Sequence, residues 1–207
     1  GHGDHGTTLH TELAPGLQTM TATLEVPDPA LWWPVPLGQP NLYDASVVLL
    51  ADGKVLDRSV IRYGLREIAL IREPLPGDEG ESFILAVNGQ KVFCKGGNWV
   101  PADALIARVN PTKYRELVRL AAKANFNMFR IWGGGIFEAP YFYQLCDEYG
   151  ILVWHDFPYA CSYYPDDDPD FLAEAKHEAE LAVRCLRNHP SIALWCGNNE
   201  NQWIHHQ

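Results

Sequence analysis

The chain has 207 residues, 47% hydrophobic and 20% charged, with a formal net charge of -10, which suits one large or two small globular domains rather than a disordered segment. It carries no basic cluster, which argues against nucleic acid, a polymer bound mainly through Lys and Arg on phosphates. No run of about 18 apolar residues occurs, so no membrane-spanning helix is expected.

In chain order, the opening His2, Asp4 and His5 read as a terminal segment rather than a metal site. Residues 19–26 and 42–50 alternate in the manner of strands. Asp52-Gly53 is a hairpin signal, and residues 55–63 read as the returning strand. Pro27, Pro29, Pro34, Pro36 and Pro40 punctuate an aromatic loop, and residues 72–81 read as an exposed linker or turn. Short strands separated by turns predict a β-sandwich.

After about residue 90 strands alternate with helices. The predicted strands are 91–95, 127–132, 151–155 and 191–196. The predicted helices are 111–124, with Pro111 in its first turn and Leu117, Leu120 and Ala121 on one face, then 139–149, stopped by Gly150, and 169–187. Such alternation implies a parallel sheet: half of an eight-stranded βα barrel, or an open doubly wound sheet, which would normally carry a phosphate-binding glycine turn after its first strand.

Several predicted strands end in glycine, amide, aromatic or acidic residues: Gly96-Gly97-Asn98-Trp99, Trp132-Gly133-Gly134-Gly135, His155-Asp156 and Gly197-Asn198-Asn199-Glu200. In a βα barrel those ends form one rim, where active sites lie. The sharpest group is Asn198-Asn199-Glu200-Asn201, with Trp195 and Trp203 near it. Glycoside hydrolysis requires a carboxyl group held protonated to meet the leaving oxygen, and a second carboxylate opposite. A helix beginning at Glu200 and capped by Asn199 accounts for the same residues.

The glycine triplet lacks P-loop and dinucleotide spacing. No GxSxG is present, and the adjacency of His155 and Asp156 on one strand points their side chains to opposite faces. Asp166-Asp167-Asp168 reads as a solvated loop and His205-His206 as surface. Cys94, Cys146, Cys161, Cys185 and Cys196 are odd in number and form no CxxC, so neither a disulfide framework nor a zinc site is expected. The seven Trp and nine Tyr suit stacking on sugar rings, and equally a Trp-rich core.

Four stretches, in this order, carry a resemblance: residues 95–103 (KGGNWVPAD), Arg130-Ile131-Trp132 with the glycine triplet, Cys146-Asp147-Glu148 followed by residues 150–157, and residues 189–201 from His189-Pro190-Ser191 onward. They resemble glycoside hydrolase family 2, its β-mannosidase branch most of all. Upstream, Trp32-Trp33-Pro34, Leu42-Tyr43 and Tyr63-Gly64-Leu65-Arg66 resemble the immunoglobulin-like sandwich that precedes the barrel in that family.

The resemblance implies a sandwich segment over 1–72, a linker with the strand leading into the barrel over 73–90, and the N-terminal half of a TIM barrel over 91–207. It implies a retaining hydrolase of terminal β-mannosides with no cofactor or metal, no nucleic acid and no membrane partner. Glu200 corresponds to the general acid/base, Asn199 to the contact with the sugar 2-hydroxyl, Trp132 to the wall of the terminal-sugar subsite and Asp156 to a further sugar contact. Trp99 and Asp103 fall in a motif near the site, and Trp99 is counted with the substrate-binding residues. The family nucleophile falls beyond Gln207, so residues 1–207 alone are expected to be inactive. A segment cut in mid-barrel is also expected to self-associate. His155 stands where relatives usually have Gln. Exo-β-glucosaminidase or β-galactosidase specificity is the alternative within the family, and a non-catalytic carbohydrate-binding fragment the alternative outside it.

Overall fold

A computed structural model describes residues 5–12, 14–77 and 80–204, apart from the side chains of residues 203 and 204. His2, Asp4, His205, His206 and the Trp203 side chain therefore lie outside what is described. The chain divides into two units, Gly1–Ala30 and Leu31–Gln207.

The described part of the first unit contains no strand, so the expectation for residues 19–26 is corrected. Met20 and Leu24 are both about half exposed. Alternation lets a segment occupy a sheet, but a strand exists only where a neighbour supplies its backbone hydrogen bonds.

The second unit opens with an antiparallel hairpin, β1 (Tyr43–Ala51) and β2 (Lys54–Tyr63), paired from Tyr43↔Tyr63 to Ala51↔Lys54. Asp52 and Gly53 both take positive φ, 50° and 75°, as a two-residue turn matched to strand twist requires. A second sheet is a meander of β3 (Ile68–Ile71), β4 (Ile84–Val87) and β5 (Gln90–Val92). Residues 72–77 and 80–81 form part of its first turn, tied by Leu75 N–H to Gly80 O at 2.9 Å. Asn88-Gly89, with φ of 48° and 78°, makes the second turn. Residues 90–92 therefore belong to the meander, correcting the expectation that 91–95 opens the barrel.

The barrel sheet starts one motif later, at β6 (Gly96–Trp99), followed by β7 (Met128–Ile131), β8 (Leu152–Asp156) and β9 (Ile192–Cys196), all parallel. Glycine is uncommon inside strands, which hid β6 in the sequence. It is required here because a side chain at Gly96 would collide with the Met128 carbonyl oxygen. The spatial order β6-β7-β8-β9 follows the chain without reversal. An open doubly wound sheet reverses at a switch point, so the order is that of a barrel.

Helices α1 (Pro111–Lys123), α2 (Pro140–Tyr149) and α3 (Pro169–Leu186) connect the four strands. Asn110 caps α1 by accepting from Lys113 N–H at 3.0 Å. Gly150 ends α2 at φ 65°, the left-handed stop that glycine tolerates. Asp168 caps α3, accepting from Asp170 N–H at 2.9 Å, so one of the three aspartates read as solvated has a structural task. The buried face of α1 is Tyr114 and Val118, flanked by Leu117 and Ala121, whereas Leu120 is 53% exposed and does not share it.

The helices cover one face of the barrel sheet, and residues of the preceding sheet cover part of the other. Phe129, Ile131, Val153 and Ile192 face the helices and pack with Tyr114, Val118, Phe142, Tyr143 and Leu145. Met128 and Leu152, one residue away in each strand, turn the other way toward Trp32, Leu85, Val87 and Val92. Trp32 is fully buried, and its indole N–H donates to Asp147 O at 2.9 Å. No helix of the described residues is long and apolar enough to cross a membrane.

Candidate active site

The C-terminal ends of the barrel strands converge on one charged residue that the sequence reading left unassigned. Arg130, in β7, forks onto Asp156 at the end of β8, with Nε to Oδ1 at 3.1 Å and Nη2 to Oδ2 at 2.7 Å. Its Nη2 also donates to Asn199 Oδ1 at 2.9 Å, and the guanidinium carbon lies 5.6 Å from the centre of the Trp154 ring. A guanidinium only donates, so this contact fixes which end of the Asn199 amide is oxygen. The signal in the sequence was a charge between Met128, Phe129 and Ile131: a cation in a buried parallel strand needs an acidic partner.

Asp156, expected as a sugar contact, is engaged within the protein. Its side chain has no exposed surface, and besides Arg130 it accepts from Gly133 N–H at 3.1 Å. Its oxygens are thus engaged by the Arg130 fork and the Gly133 N–H.

Trp99, expected among the substrate-binding residues, is buried. It lies among Tyr114, Phe129 and Phe142 in the core between sheet and helices, and its indole N–H donates to Glu138 Oε1 at 2.9 Å. Tyr114 donates to the other Glu138 oxygen, and burial together with this carboxylate raises the Tyr114 phenol to about 12. Asp103 accepts from Leu105 N–H and from Lys113 Nζ, both at 2.9 Å, and so ties the loop after β6 to α1. Its carboxyl is held below the usual range, chiefly by the Lys113 contact.

Trp132 follows β7 and is half-buried. The glycine triplet accommodates protein rather than phosphate. A side chain at Gly134 would collide with the Trp132 indole, and one at Gly133 would come within 2.8 Å of the Phe157 and Tyr159 carbonyl oxygens.

Asn199 is buried, and its Nδ2 reaches Cys161 Sγ at 3.3 Å. An amide nitrogen carries two hydrogens, so one remains for a ligand hydroxyl. Asn199 does not cap the short helix α4 (Asn201–Ile204); Asn198 Oδ1 accepts from Asn201 N–H instead, at 3.3 Å. Glu200 is exposed at φ 60°, and its Oε2 accepts from Cys161 Sγ at 3.4 Å. Trp195 stacks with Phe157 and lies against His155. The structure thus links Asp156, Asn199 and Glu200 through Arg130 and Cys161 at the strand ends, with Trp132 at the end of β7, whereas Trp99 lies in the core.

His155 points away from Asp156, as alternation requires. Its Nδ1 lies 2.7 Å from the Asp156 carbonyl oxygen and its Nε2 lies 2.8 Å from Tyr143 OH. A carbonyl only accepts, so Nδ1 carries the proton and Tyr143 donates to Nε2. Tyr143 OH in turn accepts from Glu138 N–H at 3.1 Å. The set is complete with a neutral ring, and burial lowers the His155 pKa from its ordinary value.

Protonation thus favours the unfolded chain, which binds more protons below its own pKa of about 6.5. Stability contributed by His155 is complete above that pH and is lost as pH falls toward the lowered folded value. Urea midpoints measured from pH 7.5 to 5 should fall, and His155→Gln should flatten that fall. An equal fall in both proteins would remove His155 as a cause.

Two family profiles match the chain. Residues 2–66 match the one described as glycosyl hydrolases family 2, and residues 81–206 match the one described as glycosyl hydrolases family 2, TIM barrel domain. The chain is 45% identical over 181 residues to beta-mannosidase B of Thermothelomyces thermophilus, covering 87% of this chain and 21% of that protein. It is 39% identical over 199 residues to beta-mannosidase of Bos taurus, covering 94% of this chain and 22% of that protein. Among solved structures, beta-D-mannosidase from Dictyoglomus thermophilum superposes with a TM-score of 0.81 at 48% identity, covering 86% of this chain and 22% of that one. Beta-glucuronidase 3 of Bacteroides uniformis superposes with a TM-score of 0.68 at 25% identity, covering 84% and 20%. The chain thus spans about a fifth of the length of the curated relatives it matches.

Proposed function

This chain belongs to glycosyl hydrolases family 2, and from that membership we propose that the protein carrying it is a retaining β-mannosidase with Glu200 as general acid/base. The observation that carries the proposal is the placement of Glu200: it follows an Asn199 held by Arg130, at the C-terminal end of a parallel barrel strand. Similarity of 39–48% to proteins named β-mannosidase favours mannose as the terminal sugar.

In this mechanism Glu200 gives its proton to the leaving glycosidic oxygen, then takes one from the water that releases the sugar. The exposed position of Glu200 gives both leaving group and water access to it. The free Nδ2 hydrogen of Asn199 meets the 2-hydroxyl, and the Trp132 ring walls the terminal sugar. A second carboxylate attacks the anomeric carbon, and we assign it to a barrel strand outside residues 1–207. Residues 1–207 alone then lack half of the catalytic pair and do not turn over substrate.

A panel of p-nitrophenyl β-mannoside, β-glucosaminide and β-galactoside, offered to the full-length polypeptide, tests the specificity. Mannoside should be hydrolysed with the highest kcat/KM. A preference for either other sugar would keep the family and overturn the substrate. Binding without turnover of any of them would favour the carbohydrate-binding reading.

Residues 1–207 by themselves are expected to self-associate. Phe93 is 82% exposed beside a groove lined by Phe83, Leu85, Met128 and Trp154, and Val47, Leu50, Val55 and Val60 of the hairpin are also exposed. Such apolar surface favours association. Size-exclusion chromatography with light scattering should give a mass above one chain, and a clean monomer would contradict this.

A further inference from the structure

We propose that Cys161 is a positioning residue of the reaction, its thiol bridging the Asn199 amide and the Glu200 carboxyl. The inference rests on the acid/base reading of Glu200 given above. Cys161 lies in the loop that follows β8, 39 residues before Glu200 in sequence. The contact exists because the segments beyond β8 and β9 remain paired past the strand ends. Asn199 N–H donates to Tyr159 O at 2.8 Å, and Cys161 N–H donates to Asn199 O at 2.9 Å.

The loop is anchored from its other side. Ala160 N–H donates to Tyr164 OH at 2.9 Å, and the Tyr164 ring meets Tyr159 edge-on at 4.9 Å between centroids. Between these anchors Cys161 takes φ 49° and Glu200 takes φ 60°, the left-handed region that side chains other than glycine seldom adopt. In that conformation the sulfur lies between the two groups. It accepts from Asn199 Nδ2 at 3.3 Å and offers its own hydrogen to Glu200 Oε2 at 3.4 Å.

Arg130 grips the oxygen of the Asn199 amide, and Cys161 grips its nitrogen. The amide plane is therefore fixed at both ends, while the same sulfur limits rotation of an otherwise exposed Glu200. A bridging thiol links the two residues that must meet the same substrate, one at its 2-hydroxyl and one at its leaving oxygen.

Leaving-group dependence separates this role from a merely structural one. A leaving group as good as 2,4-dinitrophenolate departs without a proton, whereas a sugar alcohol needs one from the general acid. The full-length polypeptide is assayed on the 2,4-dinitrophenyl glycoside and on the disaccharide of the sugar it prefers. Cys161→Ala should lower kcat/KM on the disaccharide up to about tenfold, the upper end expected for losing one hydrogen bond. It should change the dinitrophenyl value less than twofold, because Arg130 still holds the Asn199 amide by its oxygen. Cys161→Ser, which restores an O–H between the same partners, should recover most of the loss. The ratio of the two substrates does not depend on how much of a variant folds.

Glu200→Ala run in parallel keeps the two readings apart. If Glu200→Ala shows the leaving-group dependence and Cys161→Ala lowers both substrates equally or neither, the positioning role is overturned and the acid/base reading stands. If Glu200→Ala itself shows no such dependence, the acid/base reading fails and the role of Cys161 falls with it.

Discussion

Glu200→Ala in the full-length polypeptide should lower kcat/KM on a β-mannoside with a poor leaving group by about 10²–10⁴-fold, the usual contribution of a positioned proton donor. Within residues 1–207 the fold should be untouched, because Glu200 is exposed there and its side chain is bonded to Cys161 alone among the described residues. Surface substitutions of that kind change stability by about 0.5 kcal/mol or less, so the thermal midpoint should stay within a degree or two. Azide should restore part of the turnover of activated aryl substrates. A small anion can enter the space left by the carboxyl group and attack the glycosyl intermediate without a general base. The azide product should retain the β configuration of the substrate if the second carboxylate has already attacked from the opposite face. Unchanged hydrolysis in Glu200→Ala would remove Glu200 from the chemistry and leave the fold assignment standing.

Sequence periodicity located the three long helices and three of the four barrel strands, because burial on both faces of a parallel sheet forces apolar runs such as 151–153 and 192–195. It missed β6 because close backbone approach at Gly96 demands the residue that propensity rules exclude from strands. It misplaced residues 90–92 although Asn88-Gly89 was a hairpin signal in plain view. Residues 19–26 show the opposite failure, a pattern without a neighbour to pair with. The site divides in the same way. Glu200 and Asn199 were legible because three amides around one carboxylate after an apolar strand are chemically unusual. Trp99 belongs to a recognisable motif, but its direction depends on β6, whose placement was not legible. Arg130 left a signal, a charge in an apolar run. Cys161 left none, since its proximity to Glu200 arises from two loops pairing beyond the ends of their strands.

The hub of the site gives the second large effect. Arg130→Met leaves the Asp156 carboxylate, which has no exposed surface, with Gly133 N–H as its remaining donor among the described residues. Removing one member of a buried ion pair costs about 3–5 kcal/mol because the other charge stays buried and uncompensated. The urea midpoint should fall accordingly. Arg130→Lys should fall less, since it keeps a charge but loses the fork that holds two Asp156 oxygens and Asn199 together. Adding Asp156→Asn to Arg130→Met removes the stranded charge, so the double variant should be more stable than the single one, a coupling of about 1 kcal/mol or more. Activity should not follow. The double variant still lacks the donor that fixes Asn199 Oδ1, so the amide keeps only its weaker contact at Cys161 Sγ and kcat/KM should stay near that of Arg130→Met. Stability that recovers while turnover does not would separate the two tasks of Arg130, neutralising Asp156 and aiming Asn199. If stability does not recover, the buried charge is not the source of the loss. If turnover recovers with stability, the aim of Asn199 does not depend on Arg130.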